Sequence, residues 1–161
     1  MGKIFCLVII ACVAVRETPA STTEEPQRTV PCGESVAVTQ FPYPGYRLVL
    51  GAASVPRAYG RAYPSAAWPY FAKGGVVVKS GRSVTLRVPR AWRKRVAISW
   101  GNNVHRVFHT IRIAACSRTP TRGYAYAGGF YLRGPSACAP LVVAAGGRRQ
   151  TIWFGIGRRC R

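Results

Sequence analysis

Two histidines, four glutamates and six cysteines are the side chains of this sequence best able to move a proton, hold a metal or act as a nucleophile. Their placement removes most of that chemistry. There is no aspartate, and the glutamates are Glu17, Glu24, Glu25 and Glu34, so no side-chain carboxylate occurs from Ser35 to Arg161. Paired carboxylates for general acid–base work, as in glycosidases, cannot be assembled there. A Ser-His-Asp triad lacks its aspartate, and calcium or magnesium sites lack their oxygen ligands. If Val104 to Ala115 is a strand, His105 and His109 share a face with Val107, Ile111 and Ile113. Four residues of strand rise then hold the two imidazoles about 13 Å apart, too far for one metal. We therefore expect no enzyme, no cofactor and no metal site.

The cysteines read differently. Cys6 and Cys12 fall in an apolar leader, leaving Cys32, Cys116, Cys138 and Cys160. No Cys-x-x-Cys pair suggests zinc. Four cysteines in a small exported domain make two disulfides most simply, and a cysteine nucleophile would break that even set. Of the three connectivities, strand polarity favours Cys32 with Cys116 and Cys138 with Cys160. Cys138 opens a strand and Cys160 closes the next, antiparallel one, which puts both at one end. Cys116 closes a strand at the opposite end, where Cys32, opening the first strand, also lies.

What remains is positive charge. The chain carries 24 Lys and Arg and a formal charge of +20, and only Lys3, Arg16 and Arg28 of the cations precede Ser35. Lysine occurs only at positions 3, 73, 79 and 94, so the surface is one of guanidinium groups. Arg, Ala, Gly and Pro enrichment together is what a GC-rich genome gives without selection for function. Physically, unpaired guanidinium forks fit phosphate and carboxylate oxygens in a bidentate way. The densest cluster is Arg90-Ala91-Trp92-Arg93-Lys94-Arg95, in which Arg90, Trp92, Arg93, Lys94 and Arg95 combine point charge, forked donors and a stacking surface. These five are the candidate anion-binding residues. The chemistry suits an anionic envelope polymer such as a teichoic or uronic acid chain, or an anionic lipid surface. Nucleic acid would bind too, but export makes it no natural target. Trp68, Tyr70 and Phe71, in the connection 57–72, read as a plug over the sandwich end or as a sugar-stacking platform.

These residues must be carried by strands. Met1-Gly2-Lys3 precedes the apolar run Ile4 to Val15, whose roughly twelve residues fit a signal-peptide core and fall short of a membrane span. Cleavage after Ala14 or Ala20 would release a secreted protein. Ile9-Ile10-Ala11-Cys12 offers the alternative of lipidation at Cys12. Residues 16–31, with PASTTEEPQ, read as a flexible tether in which nothing packs. The domain is then 32–161. It contains strands near Val36 to Phe41, Tyr46 to Val55, Val76 to Lys79, Val84 to Val88, Val96 to Trp100 and Val104 to Ala115. A final hairpin joins Leu141 to Ala145 with Thr151 to Ile156 through Gly146-Gly147. Alternation with frequent turns and no helical stripe predicts an all-β, antiparallel two-sheet sandwich, immunoglobulin-like, with two disulfides.

The leader, Cys32-Gly33, Val55-Pro56, the Tyr-Ala-Gly-Gly-Phe-Tyr run of Tyr126 to Tyr131, the Cys-Ala-Pro-Leu-Val-Val run of Cys138 to Val143 and the Phe-Gly-Ile-Gly-Arg-Arg-Cys ending of Phe154 to Cys160 together resemble uncharacterised exported β-sandwich proteins of actinobacteria. The resemblance implies fold and compartment and brings no activity with it. The expectation is an exported, non-enzymatic sandwich that adheres to anionic polymer at the cell envelope. The alternative is a structural or protein-interaction domain whose charge is compositional.

Overall fold

A computed structural model of the protein describes residues 27–102 and 106–160. The leader, Cys12 and His105 lie outside the described residues. Twelve strands form among those described: β1 (Arg28–Val30), β2 (Ala37–Gln40), β3 (Arg47–Val49), β4 (Ala53–Val55), β5 (Tyr63–Pro64), β6 (Tyr70–Lys79), β7 (Val84–Arg87), β8 (Val96–Trp100), β9 (Thr110–Ile113), β10 (Arg122–Leu132), β11 (Ala137–Ala145) and β12 (Arg148–Ile156). A five-stranded sheet runs β1-β9-β7-β11-β12. A seven-stranded sheet runs β2-β10-β6-β4-β3, with β5 on β6 and β8 on β10. The chain is thus the expected all-β, two-sheet sandwich with two disulfides, antiparallel except for β1, which runs parallel to β9.

Period-two patterning builds the core. Val84 and Leu86 of β7, Ile111 and Ile113 of β9, Leu141 and Val143 of β11, and Ile152, Phe154 and Ile156 of β12 face Val76 and Val78 of β6, Ile98 and Trp100 of β8, and Tyr126 and Phe130 of β10 in one buried cluster. The rings of Trp100, Phe130 and Phe154 interlock, with Phe130 5.7 Å from Trp100 and 5.2 Å from Phe154. Such aromatic pairs stabilise by about 0.5–1.5 kcal/mol beyond their area burial. The connection after Pro56 adds to this core. Tyr59 sets its ring edge-on to Phe130 (5.1 Å) and Phe154 (5.4 Å). Its backbone N–H donates to the Gly155 carbonyl (3.0 Å) and its carbonyl accepts from Gly157 N–H (3.4 Å). The connection therefore seals the β12 edge.

The β11–β12 hairpin is the one expected, extended to Ala137–Ala145 and Arg148–Ile156. Gly146 and Gly147 have φ of 55° and 74°, as a two-residue hairpin turn of the I′ type requires. Other boundaries moved. The single strand expected from Tyr46 to Val55 is a hairpin, because Leu50 and Gly51 turn the chain with φ of 53° and 65° and pair Val49 with Ala53. The connection 57–72 contains β5 and the first residues of β6. Of the strand expected over Val104 to Ala115, whose first two residues lie outside the described ones, residues 106–109 are not in a strand and β9 spans Thr110–Ile113. Before it, Phe108 bridges to Ile98, in the other sheet, so His109 does not share a regular strand with the residues upstream.

Arg28–Val30, placed in the tether by the sequence, is a strand whose Val30 is fully buried. The domain boundary therefore lies before Arg28. A parallel partner more than eighty residues away supplies the pairing that the local sequence does not announce. The same strand corrects the disulfide argument. The pairing is as expected, Cys32–Cys116 and Cys138–Cys160, but Cys32 does not open a strand antiparallel to that of Cys116. It follows β1, as Cys116 follows β9, and parallel strands bring both to the same end. An immunoglobulin domain bridges its two sheets across the core, whereas Cys138–Cys160 stays at one end of the five-stranded sheet.

Burial holds several tyrosines in their neutral form. Burial, with smaller effects from Tyr124 and Glu34, pushes the Tyr126 hydroxyl up to about 12, and burial likewise raises Tyr59, Tyr46 and Tyr131. An unfolded tyrosine ionises near pH 10, so between about pH 10 and pH 12 the native state keeps a proton that the unfolded chain has lost. The stabilisation is complete below pH 10 and is lost as pH rises through 12. For Tyr126 it amounts to about 3 kcal/mol. Urea titrations across this window should show stability falling with pH, and Tyr126→Phe should flatten the fall. An unchanged slope in that variant would remove Tyr126 from the account.

Candidate functional site

One end of the sandwich gathers the start of β8, the end of β10, the start of β11 and the segment just past β12. A groove of about 340 Å³ lies there, lined by Trp92, Arg95, Arg133, Ser136, Cys138 and Arg158 among others. Each side chain arrives for a local reason. Val96 pairs with Leu132, so Arg95 and Arg133 are the residues just outside that pair, and Arg133 N–H donates to the Arg95 carbonyl (3.2 Å). After Pro89, Arg90–Trp92 form a single 3-10 turn in which Trp92 N–H donates to the Pro89 carbonyl (2.8 Å). Arg95 N–H then donates to the Trp92 carbonyl (2.8 Å), which brings the Arg95 guanidinium 4.0 Å from the Trp92 ring centroid. Arg158 is held near by Cys160, whose bridge to Cys138 pins the chain after β12 against β11.

Aromatic rings back the cations. Trp92 meets Trp153 edge to face at 5.5 Å, and the Arg133 guanidinium stands 4.4 Å from the Trp68 ring. A guanidinium held over a ring still has N–H groups to offer an acceptor, and the cation–π contact restrains it. Arg95 and Arg133 are exposed in this way at one groove, with Arg158 as a third exposed cation. The only side-chain carboxylate among the described residues, Glu34, is spent elsewhere. It pairs with Arg28 and accepts from Asn102 N–H (2.7 Å), beyond the far end of β8. The groove can therefore take phosphate, sulfate or carboxylate oxygens, and among the described residues no side-chain carboxylate lines it to compete.

Of the five residues marked by the sequence, Trp92 and Arg95 line this groove. Arg93 turns back to the scaffold: its Nε donates to the Val88 carbonyl (3.4 Å), and its own carbonyl accepts from His109 Nε2–H (3.1 Å). Arg90 and Lys94 are exposed in the turn and do not line it. His109 therefore braces the loop. Arg133, Arg158 and Trp153 were missed, and Trp68 was noted only as part of the aromatic connection. Only Trp153 had a local signal, as the outward residue between the inward Ile152 and Phe154. The aromatic connection is divided: Tyr70 packs on the core, Phe71 lies between Tyr63, met edge to face (5.7 Å), and Tyr131 (4.6 Å), and Trp68 supports Arg133.

A second groove, of about 300 Å³, crosses the outer face of the seven-stranded sheet between Tyr43, Tyr46 and Lys73, with Gly75, Ala125 and Ala127 in its floor. It is mainly apolar. Among the described residues no three His, Cys, Asp or Glu side chains gather as a metal site would require. No protein-family model, curated protein or solved structure matches this chain.

Proposed function

We propose that the protein is an exported, non-enzymatic β-sandwich that adheres to anionic polymer at the cell envelope. The observation that carries this reading is the groove in which Arg95, Arg133 and Arg158 meet beside Trp92, with no side-chain carboxylate among the described residues that line it. Two disulfides suit an oxidising, extracytoplasmic compartment. The leader 1–15 would deliver the chain there, either released or held by a lipid at Cys12. A domain with a single side-chain carboxylate, already bound to Arg28, offers little to acid–base catalysis.

The test is binding to an anionic polysaccharide such as polyuronate or heparin over a range of salt. Affinity should fall steeply with salt, as it does when unpaired cations displace counterions. Replacing Arg95, Arg133 and Arg158 by Ser should weaken binding at least tenfold more than replacing the exposed Arg57, Arg118 and Arg122. Both triple variants lose three charges, so long-range attraction falls about equally, and only the local site separates them. Equal losses would mean that the charge acts as a diffuse field.

The alternative, a structural or protein-interaction domain, has one observation on its side. The apolar groove under Tyr43 and Tyr46 lies near exposed Val36 and Val38, which are 63% and 52% accessible. Capture of an envelope protein that survives high salt and is lost in Gly75→Leu would favour it. Leucine is a clean probe there, because a Cβ on Gly75 meets only ordinary contacts, at 3.5 Å from the Tyr126 carbonyl and 3.7 Å from the Tyr46 hydroxyl.

A further inference from the structure

The outer face of the five-stranded sheet carries a row of cations that the strand register sets in line. Arg112 of β9 pairs with Thr85 of β7, Thr85 with Ala144 of β11, and Ala144 with Arg149 of β12. All four point away from the core, since their neighbours Ile111, Leu86 and Val143 are fully buried. Three strand spacings separate Arg112 from Arg149, about 14 Å. Arg87 stands two residues beyond Thr85 on the same face, beside Val142 and then Thr151. Between the arginines lie only Thr, Ala and Val, so the face is low and open, and among the described residues it holds no acid. A shallow basin of about 470 Å³ already opens at its Arg112–Arg149 end.

This face is continuous with the groove. From Arg149, outward positions on β12 run through Thr151 to Trp153, a rise of about 13 Å. Trp153 touches Trp92, and Trp92 carries Arg95 at the groove. We propose that the flank and the groove form one track for a single extended ligand, a linear polymer bearing phosphate groups along its length. The inference rests on the reading of the groove given above. The track turns a corner: Arg112, Arg87 and Arg149 lie on the flank of the sandwich, whereas the groove opens at its end, where strands of both sheets start and stop. A flexible chain can follow both surfaces at once. A membrane plane can meet only one of them at a time. Guanidinium forks spaced along the track suit phosphate oxygens bound in sequence, and linking weak contacts along one chain multiplies their affinity.

The test compares tripolyphosphate, too short to reach from the basin to the groove, with long-chain inorganic polyphosphate, on the intact disulfide-bonded protein. Long chains are expected to bind at least a hundredfold tighter per chain, after correction for the number of ways a short ligand fits. Changing Arg87, Arg112 and Arg149 to Ser should remove at least tenfold of that advantage while leaving tripolyphosphate affinity at the groove within twofold. The Arg57, Arg118 and Arg122 triple should keep the advantage. A parallel set with Gln in place of Ser guards against a folding defect of one variant. If the flank triple behaves like the scattered triple, the track is overturned and the groove stands. Absence of any effect from the groove triple as well overturns both readings. Phosphatidylglycerol vesicles that lose affinity on both triples as long polyphosphate does would assign the surface to a lipid plane and overturn the linear ligand.

Discussion

Gly129→Ala is expected to leave no folded domain in solution, and Gly128→Ala to do nearly the same. These two glycines sit in β10 where that strand is hemmed on both sides: Gly128 pairs with Gly74 of β6 and Trp100 of β8, and Gly129 with Lys73 and Ser99. Their φ angles, 159° and 154°, aim the position of a Cβ at the flanking strands. On Gly129 a methyl group would overlap the Ala72 carbonyl oxygen, and on Gly128 the Ser99 carbonyl oxygen and the Trp100 backbone. Both obstacles are backbone in paired strands and cannot swing aside as a side-chain tip can. Losses of this type belong to the exceptional class above about 4 kcal/mol, a large part of the roughly 5–15 kcal/mol that holds a domain together. Gly60→Ala is the control, because nothing lies within 4 Å of its Cβ position, and it should stay within about 0.5 kcal/mol of the parent. Soluble yield after oxidative refolding and the thermal melt of whatever refolds give the answer. A Gly129→Ala protein melting with the parent would mean that β10 is not pinched at this point.

The pinch matters for the candidate site. The pairs that follow it, Phe130 with Ile98 and Leu132 with Val96, set where β10 stops and β8 starts. Arg133 and Arg95 are the next residues on each strand, so the groove inherits its geometry from this register. None of that is local information. Arg95, Arg133 and Arg158 belong to three separate stretches of sequence, and only the order of strands in two sheets brings them together. The cluster Arg90 to Arg95 drew notice because its members are contiguous, yet contiguity gave the groove only Trp92 and Arg95. The sheet architecture was more legible. Alternation in Val84 to Arg87 and a Gly-Gly turn between two β-branched runs are local properties, and both were realised as strands with their apolar faces inward. Where the reading slipped, the missing term was long-range: β1 is three residues whose pairing partner is β9, and Gly51, in the middle of an apolar run, took a turn that pairing of Val49 with Ala53 rewards.

Removing the Cys32–Cys116 bridge is expected to cost more than removing Cys138–Cys160, although only the second borders the groove. The bridges close loops of 84 and 22 residues in separation. On the chain-entropy account of cross-links they contribute about 4.6 and about 3.4 kcal/mol respectively. The longer bridge also anchors an edge. β1 pairs on one side only, over three residues, and its further ties include Ala114 N–H to the Val30 carbonyl (3.0 Å), Arg28 to Glu34, Arg28 Nη1 to the Trp100 carbonyl (2.9 Å) and the Arg28 guanidinium over the Phe108 ring (5.6 Å). Cut from Cys116, it should fray and expose Val30. A further loss comes from inside the core, where the Tyr126 hydroxyl lies 3.2 Å from Cys116 Sγ and uses it as acceptor. With alanine at 116 that buried hydroxyl has no sulfur to meet, a defect of about 1–3 kcal/mol. The double variant Cys32→Ala with Cys116→Ala should therefore fall below Cys138→Ala with Cys160→Ala in urea titration. Cys32→Ala with Cys116→Ser should recover part of the difference by returning an oxygen to Tyr126. Amide exchange should then locate the damage: lost protection at β1 and β9 for the first pair, and at the ends of β11 and β12 for the second. If the shorter bridge proved the costlier, neither loop length nor the anchoring of β1 would be what the long bridge provides.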